Sequence, residues 1–416
     1  MFSILSNPTL CCSNSFCCAF LCGLCMRQCN TKTSHHAKLG YIAITLLACF
    51  MSLIALIWGS WLFEKLDLIG LVDCYDDDSK CIGISVVYRI SFSLGMLFIT
   101  ATILSLIGGE IFELFENSCW LLKIFVFFTV LLLTFMVPNY IFDWYIIFSV
   151  IVGIIFLVSQ IIILIDFAYH WNEAWVENYE NSNESRFWMF WLFFFPILSW
   201  ILIFTMSISS FIYFQCTGPI ALTSASLLFG IGLTAVSSSK LIEHGSLLTS
   251  SFISLIFNYW TFSALASNPV ETCNLWESRQ HNFLLVGADL FVCMLTLAYF
   301  AMKIEGKPHY EEVKTSDVSS LEMKSMKEIT TTDEEYVHQQ NPTQKVSLQQ
   351  NSTYFHLLMT VYSLTLAMIL TNWGLVTGWM TSMSFWIRIC QASLCMILFF
   401  WSVLAPSCCP DRDFSL

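Results

Sequence analysis

Charged side chains inside apolar segments are the first residues of this sequence that could do chemistry. Asp289 lies within VGADLFVCML, and Arg89 and Arg388 each fall a few residues inside another apolar segment. An unpaired ion at that depth in a bilayer costs at least about 2.5–3.5 kcal/mol on insertion scales. We therefore expect Asp289 to pair with one of the two arginines or to face a hydrated cavity, and of these a structural pair is favoured.

Cysteine is the second residue type whose side chain could take part in chemistry, and the chain contains eighteen cysteines. Seven of them precede residue 30, just before the first apolar segment. A zinc site would combine Cys22, Cys25 and Cys29 with His35 or His36, but no second Cys-x-x-Cys supports it. The juxtamembrane setting favours S-acylation instead. The candidates for acylation are Cys11, Cys12, Cys17, Cys18, Cys408 and Cys409.

The composition is that of a polytopic membrane protein. Hydrophobic residues make up 56% of the 416 positions and charged residues only 12%, far from the profile of a soluble domain. The net charge of −12 argues against nucleic acid as a partner. The sequence contains no phosphate-binding, catalytic-triad or zinc-protease motif, and its His, Asp, Glu and Cys residues do not converge, so we expect neither an enzyme nor a cofactor.

Windows of about 20 apolar residues predict ten membrane-spanning helices. The predicted segments are 39–62, 86–107, 119–138, 144–169, 187–214, 220–240, 247–267, 282–302, 354–372 and 385–407. Because ten is even, both termini lie on one side of the membrane. The loops on that side carry more Lys and Arg residues than the opposite loops, which assigns both termini to the cytosol.

These segments divide the chain into five parts. A cytosolic Cys-rich segment covers residues 1–38, and the first eight helices lie within 39–302. Residues 303–353 are polar with mixed charge, which predicts a disordered cytosolic loop. The last two helices lie within 354–407, and residues 408–416 form a cytosolic tail.

The fourth predicted helix is the element that organises the others. Residues 143–180 contain no Pro and a single Gly, and as one helix these 38 positions would measure about 57 Å. The hydrocarbon core of a bilayer is about 30 Å thick, so this helix must tilt strongly or continue into water. The predicted fold is therefore an all-α membrane protein with about ten helices in two sub-bundles, crossed by a long tilted fourth helix.

The loops on the side opposite the cytosol hold four cysteines, and an even count in an oxidising compartment suggests two disulfides. We expect Cys74 to pair with Cys81, which lies in the same loop, and Cys216 to pair with Cys273. The second pair would tie the loop between helices five and six to the loop between helices seven and eight.

Hydroxyl side chains are concentrated between residues 187 and 267, in the fifth to seventh predicted helices. Such residues let helices approach closely and form weak interhelical hydrogen bonds. If they face lipid beside the fourth helix, they supply the polar path that a headgroup needs to cross hydrocarbon. The candidate path residues are Ser159, Gln160, Ser207, Ser209 and Ser210.

Several stretches resemble the serine incorporator family of multi-pass membrane proteins. They are VVYRISFSLGMLF at 86–98, IDFAYHWNEAWVE at 165–177, GSLLTSSFISLIFNYWTFSALASNP at 245–269, LTNWG at 370–374 and FFWSVLAPSCCPDRDFSL at 399–416. The sequence departs from the family pattern at Tyr169, where the family has His, and at 116–119, where ENSC replaces His-Asn-Gly-Phe. The resemblance supports the architecture with a long fourth helix that the length argument favours.

The resemblance also implies a role in lipid homeostasis. That role is either delivery of serine to phosphatidylserine and sphingolipid synthesis, or ATP-independent scrambling of lipids between leaflets. The implied partners are membrane lipids, namely phosphatidylserine and sphingolipids, with L-serine and a homo-oligomer as further candidates. The expected location is the plasma membrane or an endomembrane of the endoplasmic reticulum or Golgi. The alternative is a secondary transporter or channel for a small polar solute, but such transporters carry internal repeats, and this sequence shows none.

Overall fold

The structure, a computed structural model, describes residues 33–65, 79–109, 112, 115–116, 120–182, 185–238, 246–268, 270–275, 279–306, 342–373 and 383–408. Within these residues the chain forms ten α-helices and a short 3-10 helix, Glu271–Cys273. The α-helices are α1 (Thr33–Lys65), α2 (Ser79–Ile107), α3 (Trp120–Thr134), α4 (Asn139–Asn181), α5 (Arg186–Tyr213), α6 (Thr217–Ser237), α7 (Leu247–Ala266), α8 (Arg279–Gly306), α9 (Pro342–Leu370) and α10 (Met383–Cys408).

Apolar length identifies most of these helices as membrane spans. Among the described helices, eight are long and apolar enough to cross a bilayer: α1, α2, α4, α5, α6, α8, α9 and α10. The apolar helix α3 is shorter, and α7 is not among the eight. The protein is therefore an all-α, multi-pass membrane protein, and each of the ten predicted segments overlaps one helix.

Helix α4 is continuous over 43 residues, which corresponds to a length of about 64 Å. It begins directly after Pro138, whose ring cannot donate a backbone hydrogen bond. No proline interrupts the helix afterwards, so it continues to Asn181, beyond the apolar run that ends near Asp166. Its length exceeds the thickness of a hydrocarbon core, as the sequence predicts.

Two large clusters of buried apolar side chains form most of the interior, and a third, smaller cluster includes residues at the end of α7. The first contains residues of α1, α2, α3 and α9 together with Phe142, Val150 and Phe156 from the first half of α4. The second contains residues of α6, α7 and α10 together with Ile161 and Leu164 from the second half of α4. Helix α8 also contributes to both clusters. Helices α4 and α8 therefore lie at the boundary between the two cores.

Helix α7 explains why hydroxyl residues are concentrated in this part of the chain. Fifteen of its twenty residues are buried. Its hydroxyls bond to backbone carbonyls, as Thr249 Oγ1 does to Ala168 O of α4 at 3.1 Å. Gly230 of α6 permits close approach, because a Cβ atom there would lie 3.3 Å from Asn258 Nδ2. Small and hydroxyl side chains thus serve helix packing here.

Helix α9 begins earlier than the sequence analysis expects. The segment 303–353 is predicted to be disordered, but α9 includes its last part from Pro342 onward. Proline is favoured in the first turn of a helix, where its missing N–H leaves no hydrogen bond unmade. The first turns of α9 are polar, so a hydropathy window misses them. Ser352 is buried rather than solvated.

Candidate functional site

One face of α8 carries a row of polar side chains, which we call the α8 seam. At 100° per residue its members fall within an arc of about 120°, and the first and last are separated by about 21 Å along the helix. That distance is most of the thickness of a hydrocarbon core. The members of the seam are Asp289, Cys293, Thr296, Tyr299 and Lys303.

An ion pair closes the seam at the end nearest the start of α8. Arg388 Nη1 of α10 lies 2.7 Å from Asp289 Oδ2, and both side chains are more than nine-tenths buried. Tyr259 of α7 donates to Asp289 Oδ1 at 2.8 Å. Arg388 also donates to Ser263 Oγ at 2.7 Å and to Asn372 Oδ1 at 3.2 Å. Both charges are therefore paired and hydrogen-bonded, the condition under which buried ions are tolerated.

A strained turn after α9 places two of the residues around this pair. Asn372 and Trp373 have positive φ angles of 53° and 58°, a conformation that costs energy for residues other than glycine. The turn directs Asn372 toward Arg388 and buries Trp373 against α4. Gly153 of α4 accommodates the indole, since a Cβ atom there would lie 3.0 Å from it.

Two glutamine side chains lie beside the middle of the seam, and one of them bonds to it. Gln160 Nε2 of α4 donates to Cys293 Sγ at 3.3 Å, and Gln391 Nε2 of α10 donates to Gln160 Oε1 at 3.4 Å. A cavity of about 20 Å³ lies beside these groups, which is room for a single water molecule. Its lining comprises Leu157, Gln160, Trp260, Asp289, Cys293, Ile369, Trp373, Arg388 and Gln391.

A second ion pair closes the other end of the seam, which the charge distribution of the loops predicts to be cytosolic. Lys303 Nζ lies 2.5 Å from Asp166 Oδ2 of α4. Tyr299 donates to the same carboxylate oxygen at 2.7 Å. The side chains of Lys303 and Asp166 are 35% and 20% exposed, so this pair is far more accessible than the pair at the opposite end. The seam is thus bounded by charge at both ends and polar between them.

The two arginines singled out in the sequence have different roles. Arg388 is the partner of Asp289. Arg89 lies elsewhere, where its Nε donates to Thr134 O at the end of α3 at 3.2 Å. Its guanidinium also lies 4.7 Å from the centre of the Phe142 ring. A cation at the carboxyl end of a helix is favourable, so Arg89 anchors α3 and α4 to α2.

The candidate path residues do not form one track. Gln160 is buried against α8, whereas Ser159 bonds to Ile155 O of its own helix. Ser207 and Ser210 are buried inside the protein, so they do not have the lipid-facing orientation that the proposed path requires. Ser209 bonds back to Thr205 O. The physical reason is that these hydroxyls find partners in their own helix or in packed neighbours, whereas every member of the α8 seam except Thr296 bonds across helices.

One disulfide prediction is confirmed. Cys216 and Cys273 form a bridge with their Cα atoms 5.2 Å apart, joining the start of α6 to the 3-10 helix after α7. The predicted bridge between Cys74 and Cys81 lies outside the side chains that the structure describes. So do the acylation candidates, which are Cys11, Cys12, Cys17, Cys18, Cys408 and Cys409.

A second buried polar cluster lies between α1, α3 and α9, away from the seam. His356 Nε2 lies 2.9 Å from Glu116 Oε2, and Tyr41 donates to the same oxygen at 3.3 Å. Lys123 donates to the backbone carbonyl of Glu116 at 3.1 Å. Burial alone raises the pKa of the Glu116 carboxyl, but the hydrogen bond and charge of His356 and the charge of Lys123 leave that pKa below its ordinary value. This cluster anchors the connection between α2 and α3.

Sequence reasoning did not single out most residues of the site, namely Asp166, Tyr259, Ser263, Cys293, Thr296, Tyr299, Lys303, Asn372 and Gln391. Each is a polar residue inside or beside an apolar segment, and Asn372 belongs to the LTNWG stretch. The polarity of Gln391, one helical turn after Arg388, was an available signal. No group of three or more His, Cys, Asp and Glu side chains among the described residues could hold a metal ion.

Comparison with known proteins supplies the family context. The family model for "Serine incorporator (Serinc)" matches residues 10–412. The chain is 26% identical over 441 residues to a probable serine incorporator of Nematostella vectensis, with 94% of each chain covered. It is 26% identical over 481 residues to serine incorporator 3 of Bos taurus, covering 100% of this chain and 99% of the relative. A probable serine incorporator of Dictyostelium discoideum is 23% identical over 369 residues, with 84% of each chain covered.

Proposed function

The chain belongs to the serine incorporator family, and we propose that it scrambles phospholipids between leaflets without ATP by passing their headgroups along the α8 seam. The observation that carries this proposal is the row of polar side chains spanning about 21 Å of α8 at the boundary of the two cores. A headgroup in hydrocarbon leaves its polar atoms unsatisfied, at a cost of several kcal/mol for each group. A continuous polar face lowers that barrier.

The chemistry of the outer ion pair suits a headgroup. A phospholipid carries a phosphate, which the guanidinium of Arg388 can bind through two hydrogen bonds. Phosphatidylserine and phosphatidylethanolamine also carry an ammonium group, for which the carboxylate of Asp289 is an acceptor. A passing headgroup can therefore replace each partner of the ion pair with a group of the same charge. Neither protein charge is left unpaired during passage.

Passage requires a second conformation. The cavity at the middle of the seam has room for only a single water molecule, and the members of the seam other than Lys303 are buried. A headgroup enters only when α8 separates from α4 or α10. Because α4 and α8 contribute to both apolar clusters, such a movement would displace one cluster relative to the other. The two ion pairs and the Gln160 contact then describe the closed state.

Two other functions remain as alternatives to scrambling. Delivery of serine to phosphatidylserine and sphingolipid synthesis would use the same residues, because free serine has a carboxylate for Arg388 and an ammonium for Asp289. Transport of another small polar solute needs a solute-sized site. The cavity at the seam admits neither a solute nor a headgroup in this conformation, so the preference for a lipid rests on the sequence, which shows no internal repeats of the kind that such transporters carry.

Reconstitution of the purified protein into liposomes separates these functions. Fluorescently labelled phospholipid and radiolabelled serine are followed in parallel, with empty liposomes as the control. The proposal predicts lipid exchange above the rate in empty liposomes and no serine accumulation. Serine uptake without lipid exchange would instead support the solute alternatives.

A further inference from the structure

The two ends of the α8 seam are closed by ion pairs of unequal burial. Asp289 and Arg388 are 8% and 5% exposed, whereas Asp166 and Lys303 are 20% and 35% exposed. A partly exposed ion pair contributes little stability and is screened by salt. Breaking a buried pair leaves an uncompensated charge and is much more costly. The Lys303 end is therefore the end at which the seam opens more easily.

We propose that Asp166 and Lys303, assisted by Tyr299, form a latch that keeps α8 closed against α4 and so controls access to the seam. This inference rests on the proposed function, because it names the residues that regulate the same path. Asp166 and Lys303 are positioning residues in this account. They hold α8 in place and release it, while Arg388 and Asp289 contact the headgroup.

The contacts between α4 and α8 explain why one ion pair can have this effect. Among the described residues, two side-chain polar contacts join the helices at different depths. One is the hydrogen bond from Gln160 to Cys293 Sγ at 3.3 Å, and sulfur is a weak acceptor. The other is at the Asp166 carboxylate, which accepts hydrogen bonds from both Lys303 and Tyr299. If the latch is lost, the weak Gln160–Cys293 contact and apolar packing remain to hold α8 against α4.

Cys293 is a built-in reporter of opening. It lies in the middle of the seam and is 2% exposed, so it is protected from alkylating reagents while α8 is closed. Cys395 of α10 is also buried, in the second apolar cluster and outside the seam. Alkylation of Cys293 alone therefore indicates opening of the seam, whereas alkylation of both cysteines indicates general loosening. The reagent is N-ethylmaleimide, and each site is quantified by mass spectrometry.

The test compares the parent with Asp166→Asn, Lys303→Glu and the charge swap Asp166→Lys with Lys303→Asp. Tyr169→Phe is the matched control, because it removes a hydrogen bond from α4 to Ser402 of α10 near the same depth without touching the latch. We expect Cys293 to be alkylated about two- to fivefold faster in Asp166→Asn, as the strength of a partly exposed ion pair implies. Lys303→Glu should have a larger effect, and the charge swap should restore the parent rate.

Salt dependence distinguishes a latch from a structural contact. Alkylation of Cys293 in the parent should become faster with rising ionic strength, because salt screens the pair, and Asp166→Asn should lack this dependence. Unchanged alkylation of Cys293 in both single variants, or equal increases at Cys293 and Cys395, overturns the latch.

Lipid exchange by the same variants in liposomes separates the latch from the proposed function. Faster exchange in Asp166→Asn and Lys303→Glu, with Tyr169→Phe at the parent rate, supports both. If the parent exchanges lipid and the variants exchange it at the same rate, the latch is overturned and scrambling is not. Faster alkylation of Cys293 without exchange above empty liposomes in any protein supports the latch as a device of α8 and overturns scrambling.

Discussion

Asp289 and Arg388 face each other across α8 and α10, with Arg388 Nη1 2.7 Å from Asp289 Oδ2 inside the protein. The pair is surrounded by groups from two further parts of the chain: Tyr259 and Ser263 of α7, and Asn372 of the turn after α9. Loss of either member of this ion pair should destabilise the fold, because removing one charge leaves the other buried without compensation.

Asp289→Leu should therefore destabilise the protein strongly. The variant leaves Arg388 without its carboxylate partner, and breaking a buried pair in this way costs about 3–5 kcal/mol. The double variant with Arg388→Leu as well should lose less stability, because neither charge remains. Thermal unfolding in detergent measures both. Equal midpoints for Asp289→Leu and the parent would show that the pair is not structural.

The Cys216–Cys273 bridge should contribute to the stability of the half of the bundle that contains α6 and α7. The bridged residues are 57 positions apart, and closing a loop of that length corresponds to about 4 kcal/mol in the chain-entropy model. Cys216→Ser should lower the midpoint of thermal unfolding, and mass mapping of the unreduced parent should find the linked peptides. Recovery of both cysteines in alkylated form from the unreduced parent would disprove the bridge.

Glu116 should make the stability of the protein sensitive to acid. Its pKa in the folded state is lower than its ordinary value, so its ionised form stabilises the fold above the unfolded pKa of about 4.3. That stabilisation is lost as the pH falls through the lower folded-state pKa. Between pH 7 and pH 3, the unfolding midpoint of the parent should fall more steeply than that of Glu116→Gln. Parallel profiles would mean that the carboxylate contributes nothing.

Helix positions were largely predictable from the sequence, because apolar length is a strong and local signal. The extension of α4 beyond its apolar run to Asn181 was also expected, because no proline interrupts residues 143–180. The start of α9 at Pro342 was not, because its first turns are polar and a hydropathy window excludes them. Helical hydrogen bonds form in water as well as in lipid, so polarity marks the membrane boundary rather than the helix end.

The site was predictable only in part. A carboxylate inside an apolar segment demands a partner, which singled out Asp289 and its two candidate arginines. The choice of Arg388 depends on tertiary packing that brings α8, α10 and the turn after α9 together. Asparagine tolerates the positive φ angle of Asn372, whereas that of Trp373 follows from the packing and not from local preference. The hydroxyl-rich segment was misleading, since its Ser207 and Ser210 are buried between packed helices.

The most direct test of the account is the rate of lipid exchange in liposomes by two variants that remove different polar side chains. Gln160→Leu with Gln391→Leu removes the two glutamine side chains beside the middle of the α8 seam, and the joint replacement of two bonded partners leaves neither amide unsatisfied. Ser207→Ala with Ser210→Ala removes buried hydroxyls of α5, away from the seam. Thermal unfolding confirms that both variants are folded.

The account predicts exchange by the parent above the rate in empty liposomes. The glutamine variant should be slower by about tenfold or more, since an unsatisfied polar group in hydrocarbon costs several kcal/mol, and the serine variant should match the parent. Exchange by the glutamine variant at the parent rate would contradict the account, and so would a slower rate in the serine variant alone.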